Sequence, residues 1–291
     1  CVNCISDLSL TKELEALQER LKVKSHTAAR RDLLKVFGAA SLGSLVGYTG
    51  QQNLATAATL ASNGQWLAGG TNLIKAAYPA TDIFNSQNAC QVALTQSTTR
   101  GPCYFSDDKG EDISLGLRGL PMQLCLQLID RQCRPLRGYQ IEVWHCDTRG
   151  VYSADTRNSA SSNRFSARFC SAGDAAAQNS AWFRGVLTTD ADGRVNFKTI
   201  FPGWYPGRTI HIHFAVSNGQ RTSLVSQFCF SDAMAKAICT GHPDYRQRGE
   251  QDTPHENGGD GVYGSRSADF LFNTQNNADG SLLAYRTIQV S

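Results

Sequence analysis

Through much of this chain apolar and polar residues alternate at a period of two. Met122, Leu124, Leu126 and Leu128 are interleaved with Gln123, Cys125 and Gln127, the pattern of a strand with one face against a core. Val195, Phe197, Thr199 and Phe201 repeat it, as do Ile210, Ile212, Phe214 and Val216. Tyr139 to Trp144, Thr222 to Phe230, Phe270 to Phe272 and Leu282 to Val290 read as further strands. Phe183-Arg184-Gly185-Val186 leads into a hairpin turn, Asp190-Ala191-Asp192-Gly193, with glycine where a positive φ is needed. Asp190-x-Asp192-Gly193 also has the opening of a calcium loop, but lacks that loop's distal glutamate. Asp130 to Pro135 and Ser217-Asn218-Gly219 are further turns. Asp232 to Ile238 is a short helix candidate, 242–264 a loop, and 153–180 a long loop of the kind that walls a site. Eight or so short strands with turn signals predict an all-β fold, an antiparallel β-sandwich.

A different pattern precedes it. Leu8, Leu10, Leu14, Leu17 and Leu21 recur among charges at helical spacing. Arg30-Arg31 follows, then an apolar, small-residue-rich stretch from Val36 to Gly50 and Ala55-Thr56-Ala57. This resembles a twin-arginine export signal with its cleavage site; the alternative is an amphipathic helix used for dimerisation. The predicted organisation is an N-terminal extension over 1–57, a linker or strap over 58–89, and the β-sandwich domain over 90–291. Export implies a periplasmic or extracellular protein; a structural helix at 1–57 implies a cytoplasmic one.

Composition narrows the field. With 41% hydrophobic and 18% charged residues the chain is globular. A net charge of +3, part of it in the first 35 residues, does not argue for nucleic acid. No apolar run reaches the roughly 18 residues of a membrane span. Ten cysteines are many for a cytosolic protein. Eight of them (Cys90, Cys103, Cys125, Cys133, Cys146, Cys170, Cys229, Cys239) lie in the globular part without C-x-x-C spacing, which suggests disulfides whose pairing is not readable.

The candidate chemistry lies in Phe201-Pro202-Gly203-Trp204-Tyr205-Pro206-Gly207-Arg208-Thr209-Ile210-His211-Ile212-His213. On a strand His211 and His213 share one face, as two ligands of one metal ion would, while Ile212 enters the core. A solvent-facing histidine pair is the competing reading. His145, His242 and His255 read as loop or core histidines.

With Tyr152 at the end of Trp144-x7-Tyr152, the order W-x7-Y followed by P-G-W-Y-P-G-R-x-x-H-x-H resembles the intradiol ring-cleaving dioxygenases. The resemblance covers about 200 residues, from Cys90 to the C-terminus. It implies a β-sandwich and a non-haem Fe(III) ion held by Tyr152, Tyr205, His211 and His213. The charge count is consistent: phenolates are hard anionic donors for a hard trivalent ion, and two phenolates plus one hydroxide neutralise it. A zinc hydrolase is the third reading that H-x-H alone allows. The resemblance further implies that Arg208 stabilises charge on the substrate and that Gln227 and Tyr104 line the pocket, Tyr205 exchanging a proton as the substrate binds. Arg208 as a structural ion-pair partner is the alternative. Two departures stand out: Cys103 replaces the first aromatic of the family's entry segment, and Tyr205 precedes His211 by only six residues. The implied activity inserts both atoms of O2 into a catechol-type substrate, giving a cis,cis-muconate-type diacid. The alternative is a non-catalytic secreted β-sandwich binding module with a vestigial metal site. The implied partners are a small aromatic diol and O2, with no nucleic acid and no stable membrane insertion; oligomeric state and the particular catechol are not legible.

Overall fold

Strand β1, Pro121–Ile129, is the longest apolar alternation in the chain, and every one of its residues is buried. In the computed structural model, which describes residues 66–85, 94–159, 165–219 and 221–291 of the chain, β1 pairs antiparallel with β4 (Arg194–Ile200) and parallel with β8 (Leu282–Gln289). β7 (Asn273–Asn276) adds to the far edge of β8, giving the order β4-β1-β8-β7. A second sheet has the order β3-β2-β5-β6, from Arg184–Thr188, Gln140–Trp144, His211–Asn218 and Arg221–Cys229, all antiparallel. The architecture is the predicted β-sandwich, with one parallel pair. The described residues all belong to one unit, Ala55–Ser291. The predicted extension, export signal and residues 58–65 lie outside the described residues, as does Cys90. No helix among the described residues is long and apolar enough to cross a membrane.

The core forms where the sheets face each other. Met122, Leu124, Leu126 and Phe197 from the first sheet meet Ile141, Val143, Ile212, Phe214 and Phe228 from the second, burial that drives the sandwich together. The alternation in β1 does not mark a wet face, however. Gln123, Cys125 and Gln127 are covered too: Gln123 Nε2 donates to the Ala76 carbonyl at 2.9 Å, and Cys125 packs with Phe84, Tyr78 and Leu283. Segment 66–85 lies over the outer face of this sheet and supplies the acceptor for Gln123, while Gln127 Nε2 donates to the Asp192 carbonyl at 3.1 Å, as buried amides must find partners.

Three further expectations are corrected. Phe270–Phe272 is not a strand: Gly264–Phe270 forms a 3-10 helix, and pairing with β8 starts at Asn273. Residues 153–180 are not a structureless loop, since Thr156–Ser159, Ala167–Cys170 and Ala175–Gln178 each form a helical turn, the last capped by Asp174. Of the globular cysteines, Cys103 and Cys170 are bridged and Cys133 is disulfide-bonded, but Cys125, Cys146, Cys229 and Cys239 are buried free thiols. Asp190 Oδ1 accepts the N–H groups of Asp192 and Arg194, the economy of an ordinary turn.

Candidate metal centre

Because β5 alternates, placing Ile212 and Phe214 in the core sends His211 and His213 to the outer face of the second sheet. Their Nε2 atoms are 3.1 Å apart. His211 Nδ1 lies 2.6 Å from the Thr209 carbonyl, which fixes the proton on Nδ1 and leaves the Nε2 lone pair free. Both nitrogens therefore point one way. The ring of His213 is stacked flat on Trp144, centroids 5.0 Å apart, so its orientation is set by packing. Its Nδ1 is buried beside the Thr99 backbone without a hydrogen bond of ordinary geometry.

The tyrosines arrive on two loops. Tyr205-Pro206-Gly207-Arg208 is a tight turn closed by the Arg208 N–H on the Tyr205 carbonyl, with Gly207 at φ +80°. Proline then glycine at its centre is the type II signature, and it brings the Tyr205 and Arg208 ends side by side. Tyr205 Oη sits 3.2 Å from His211 Nε2. Tyr152 follows the loop 147–151, which lies directly on Gly203: the Gly203 N–H donates to the Asp147 carbonyl at 2.9 Å. A Cβ on Gly203 would stand 2.3 Å from the Thr148 oxygen, so glycine is what lets the two loops touch. The rings of Tyr152 and Tyr205 are 5.8 Å apart, and those of Tyr152 and His213 6.4 Å.

The four side chains form a dry donor set. Tyr152 Oη is buried and has no hydrogen-bond partner of ordinary geometry among the described residues. Burial, and then the neighbouring Tyr205, hold its pKa well above the usual tyrosine value. Burial pushes Tyr205 up to about 12, against the pull of Arg208. Both histidines are held well below the ordinary imidazole value, first by burial and then by Arg208. The site therefore holds two neutral phenols and two neutral imidazoles with their donor atoms converging. Only a cation among them makes ionised phenolate favourable. Hard oxygen and imidazole donors, one of them a buried orphan hydroxyl, fit a trivalent iron.

Beside this set Arg208 is anchored. Its Nε donates to Asp260 Oδ2 at 2.8 Å, a carboxylate whose side chain is 0% exposed, and its Nη2 donates to Gln227 Oε1. Asp260 also receives the Thr209 N–H at 3.0 Å. Both ends of the Gln227 amide are engaged: Oε1 also accepts from Tyr263 at 3.3 Å, and Nε2 donates to Thr98 Oγ1 at 3.2 Å. Tyr104 turns its hydroxyl to Glu142 Oε2 at 2.8 Å and its ring to Trp144.

Strand register explains the grouping. Arg184, Trp144, His213 and Gln227 are consecutive cross-strand partners on β3, β2, β5 and β6, one rung across the sheet. Trp144 carried no role in the sequence reading, and Arg184, Asp260 and Tyr263 were not singled out. For Arg184 a signal existed, a charge inside a strand; for the loop residues there was none. The other histidines lie elsewhere: His145 is buried between the Cys146 carbonyl and Thr199, His242 bonds the Leu67 carbonyl, and His255 packs by Ser267. Asp232, His255 and Glu256 place ligand atoms within 4.8 Å of one another. There the Asp232 carboxylate accepts the N–H groups of His255 and Glu256 and the Gln251 amide, which makes it a loop brace.

Known proteins resemble this chain in sequence and in fold. Residues 105–240 match the family model described as Dioxygenase. The chain is 26% identical over 154 residues to hydroxyquinol 1,2-dioxygenase of Rhizobium sp. (strain MTP-10005), covering 45% of this chain and 46% of that protein. It is 27% identical over 113 residues to catechol 1,2-dioxygenase 1 of Acinetobacter lwoffii, covering 33% and 31%. The matched stretches thus span less than half of each of these curated relatives. An intradiol ring-cleavage dioxygenase from Tetranychus urticae has a similar fold, with TM-score 0.56, 24% identity, and coverage of 68% of this chain and 94% of that one. Matched segment and fold together show a chain that resembles the intradiol ring-cleavage dioxygenases and shares their β-sandwich.

Proposed function

We propose that this protein binds Fe(III) through Tyr152, Tyr205, His211 and His213 and cleaves a catechol-type ring between its two hydroxyl-bearing carbons, consuming O2. The observation that carries the reading is the convergence of His211 Nε2, His213 Nε2 and Tyr205 Oη at 3.1 and 3.2 Å, beside the buried orphan hydroxyl of Tyr152. Bound ferric iron supplies Lewis acidity toward the diol and an electron path between ring and O2.

The protein's own groups do the rest. Tyr205 is the more exposed of the two phenols, so its Oη is the atom that takes up a substrate proton, as a general base at the site. Tyr152, buried, remains a ligand. Arg208 is a fixed cation with its side chain 18% exposed, held by Asp260 close enough for its charge to act on Tyr205 and His211, where it favours negative charge on a substrate oxygen. Gln227, engaged at both ends of its amide, orients Arg208 beside the substrate pocket. The ring of Tyr104 walls the pocket next to Trp144. The twin-arginine-like stretch, together with the Cys103–Cys170 bridge, supports export to an oxidising compartment.

The test is oxygen uptake by purified protein with catechol, hydroxyquinol and protocatechuate, with metal quantified and the visible spectrum recorded. The expected result is a ferric tyrosinate absorption band and stoichiometric O2 consumption, both reduced by Tyr205→Phe. A colourless, metal-free protein would instead support the vestigial binding module, and zinc-restored turnover without O2 a hydrolase.

A further inference from the structure

Arg184 is fully buried at 1% exposure; among the described residues no carboxylate is in salt-bridge contact with it, and Glu142 and Asp107 act on it only from a distance. A buried guanidinium without a counter-ion is costly unless its N–H groups are all answered. Here the answers come from two segments. Nε donates to Ser153 Oγ at 2.9 Å and Nη2 to the Ser153 carbonyl at 2.8 Å. Nη2 also reaches the Cys103 carbonyl at 2.7 Å, and Nη1 the Phe105 carbonyl at 3.3 Å. The guanidinium plane lies over the Phe105 ring, 3.8 Å from its centroid.

Ser153 is the residue after Tyr152. Cys103 is bridged to Cys170, whose carbonyl accepts the Tyr152 N–H at 3.0 Å. Tyr152 is therefore held on both sides: by the disulfide segment through its own N–H, and by the arginine fork through the next peptide. The strand that supplies Arg184 begins under constraint, since Phe183 has φ +54°, a left-handed conformation that is rare for a bulky residue and persists where surroundings impose it. Phe183 is held by its stack on His145 at 4.6 Å and by its N–H on the Ile113 carbonyl.

We propose that Arg184 is the positioning residue for Tyr152, its fork fixing the 152–153 peptide against the entry segment so that the Tyr152 hydroxyl is pre-aimed at the metal. This rests on the metal reading above. Lysine keeps the charge at this position and loses the fork, because an ammonium cannot answer diverging acceptors in one plane.

The experiment compares apo-protein variants loaded with Fe(III) in competition with a chelator, and follows the tyrosinate-to-iron absorption band and the melting temperature of the apo form. Arg184→Lys is expected to weaken Fe(III) binding by about 10–100-fold, the usual range for a lost partner behind a ligand, and to shift or weaken the band. Ser153→Ala, which removes the hydroxyl that accepts from Arg184 and donates to the Trp182 carbonyl at 2.8 Å, keeps the backbone acceptors of the fork and is expected to lose several-fold. A merely structural Arg184 would lower the melting temperature and leave the folded protein's affinity and band at wild-type values, and that result overturns the proposal. Should Arg184→Lys not fold, Ser153→Ala decides: wild-type affinity and band refute the positioning role. A wild-type chain that takes no ferric iron overturns the parent reading instead, and this one with it.

Discussion

Gly203→Ala is the sharpest test of how the two tyrosine loops are joined. The added methyl would lie 2.3 Å from the Thr148 oxygen, 2.5 Å from its carbonyl carbon and 2.7 Å from the Asp147 oxygen. All three are backbone atoms that no rotamer change can move. Relief to an ordinary carbon–oxygen contact needs a displacement of about 1 Å, which also stretches the Gly203 N–H bond to the Asp147 carbonyl, now 2.9 Å. Overpacking of this kind costs about 1–3 kcal/mol. For a domain of this size that lowers the melting temperature by roughly 2–10 °C. The larger effect falls on the site: Tyr205 is two residues downstream and Tyr152 follows the loop being pushed, so their hydroxyls separate by a comparable distance. A misplacement of about 1 Å lowers turnover on the order of 100-fold. The assay is O2 uptake and Fe(III) stoichiometry beside a thermal melt. Gly241→Ala is the control, since its methyl would meet only the Trp66 ring at an ordinary 3.6 Å. Wild-type iron content and turnover in Gly203→Ala would refute the claim that this contact sets the distance between the phenols.

Other outcomes follow from the same geometry. Replacing Cys103 and Cys170 together by serine opens a loop of sequence separation 67 and should destabilise the protein by about 4 kcal/mol on loop entropy, read by denaturant unfolding. Burial lowers the pKa of His211 and His213 well below 6.5 and that of His145 to about 3. Below pH 6.5 the unfolded chain therefore binds protons that the folded apo-protein refuses, and stability falls with pH, by up to about 4 kcal/mol per unit if all three sites act. A flat stability profile for apo-protein between pH 6.5 and 5 would contradict this. Asp260→Asn keeps shape but weakens the hold on Arg208; turnover should fall about 10–100-fold with iron content unchanged, and parallel loss of iron would assign Asp260 a different role.

What the sequence made legible is what strand periodicity governs. The face shared by His211 and His213, the entry of Ile212 and Phe214 into the core, and the turns at Gly193 and Gly219 all follow from local rules. What stayed hidden depends on segments far apart in the chain. Gln123 and Gln127 look like the wet side of β1 because nothing in their own pattern announces the partners supplied by Ala76 in segment 66–85 and by Asp192. Phe270 and Phe272 look like a strand because aromatic residues suit both a strand and the 3-10 turn that packs Tyr263 on Phe270. Asp260 lies in a polar loop with no period at all, and its value appears only when Arg208 closes on it. Cys103 and Cys170 could not be paired by spacing, since their proximity is a product of where Arg184 and Tyr152 place their segments.

The alternation along β5 has one more consequence. Because successive side chains take opposite sides, the ribbon has only two phases, and a slip of one residue would carry both imidazoles inward and leave Phe214 in water. The greasy residues of this strand thus act as a keying device for the polar ones: each phenylalanine or isoleucine locked inside vetoes the wrong phase. Selection for a well-filled interior then protects the reactive face without touching it, and variation among bulky aliphatic and aromatic residues at 212 and 214 can proceed while the chemistry stays aligned.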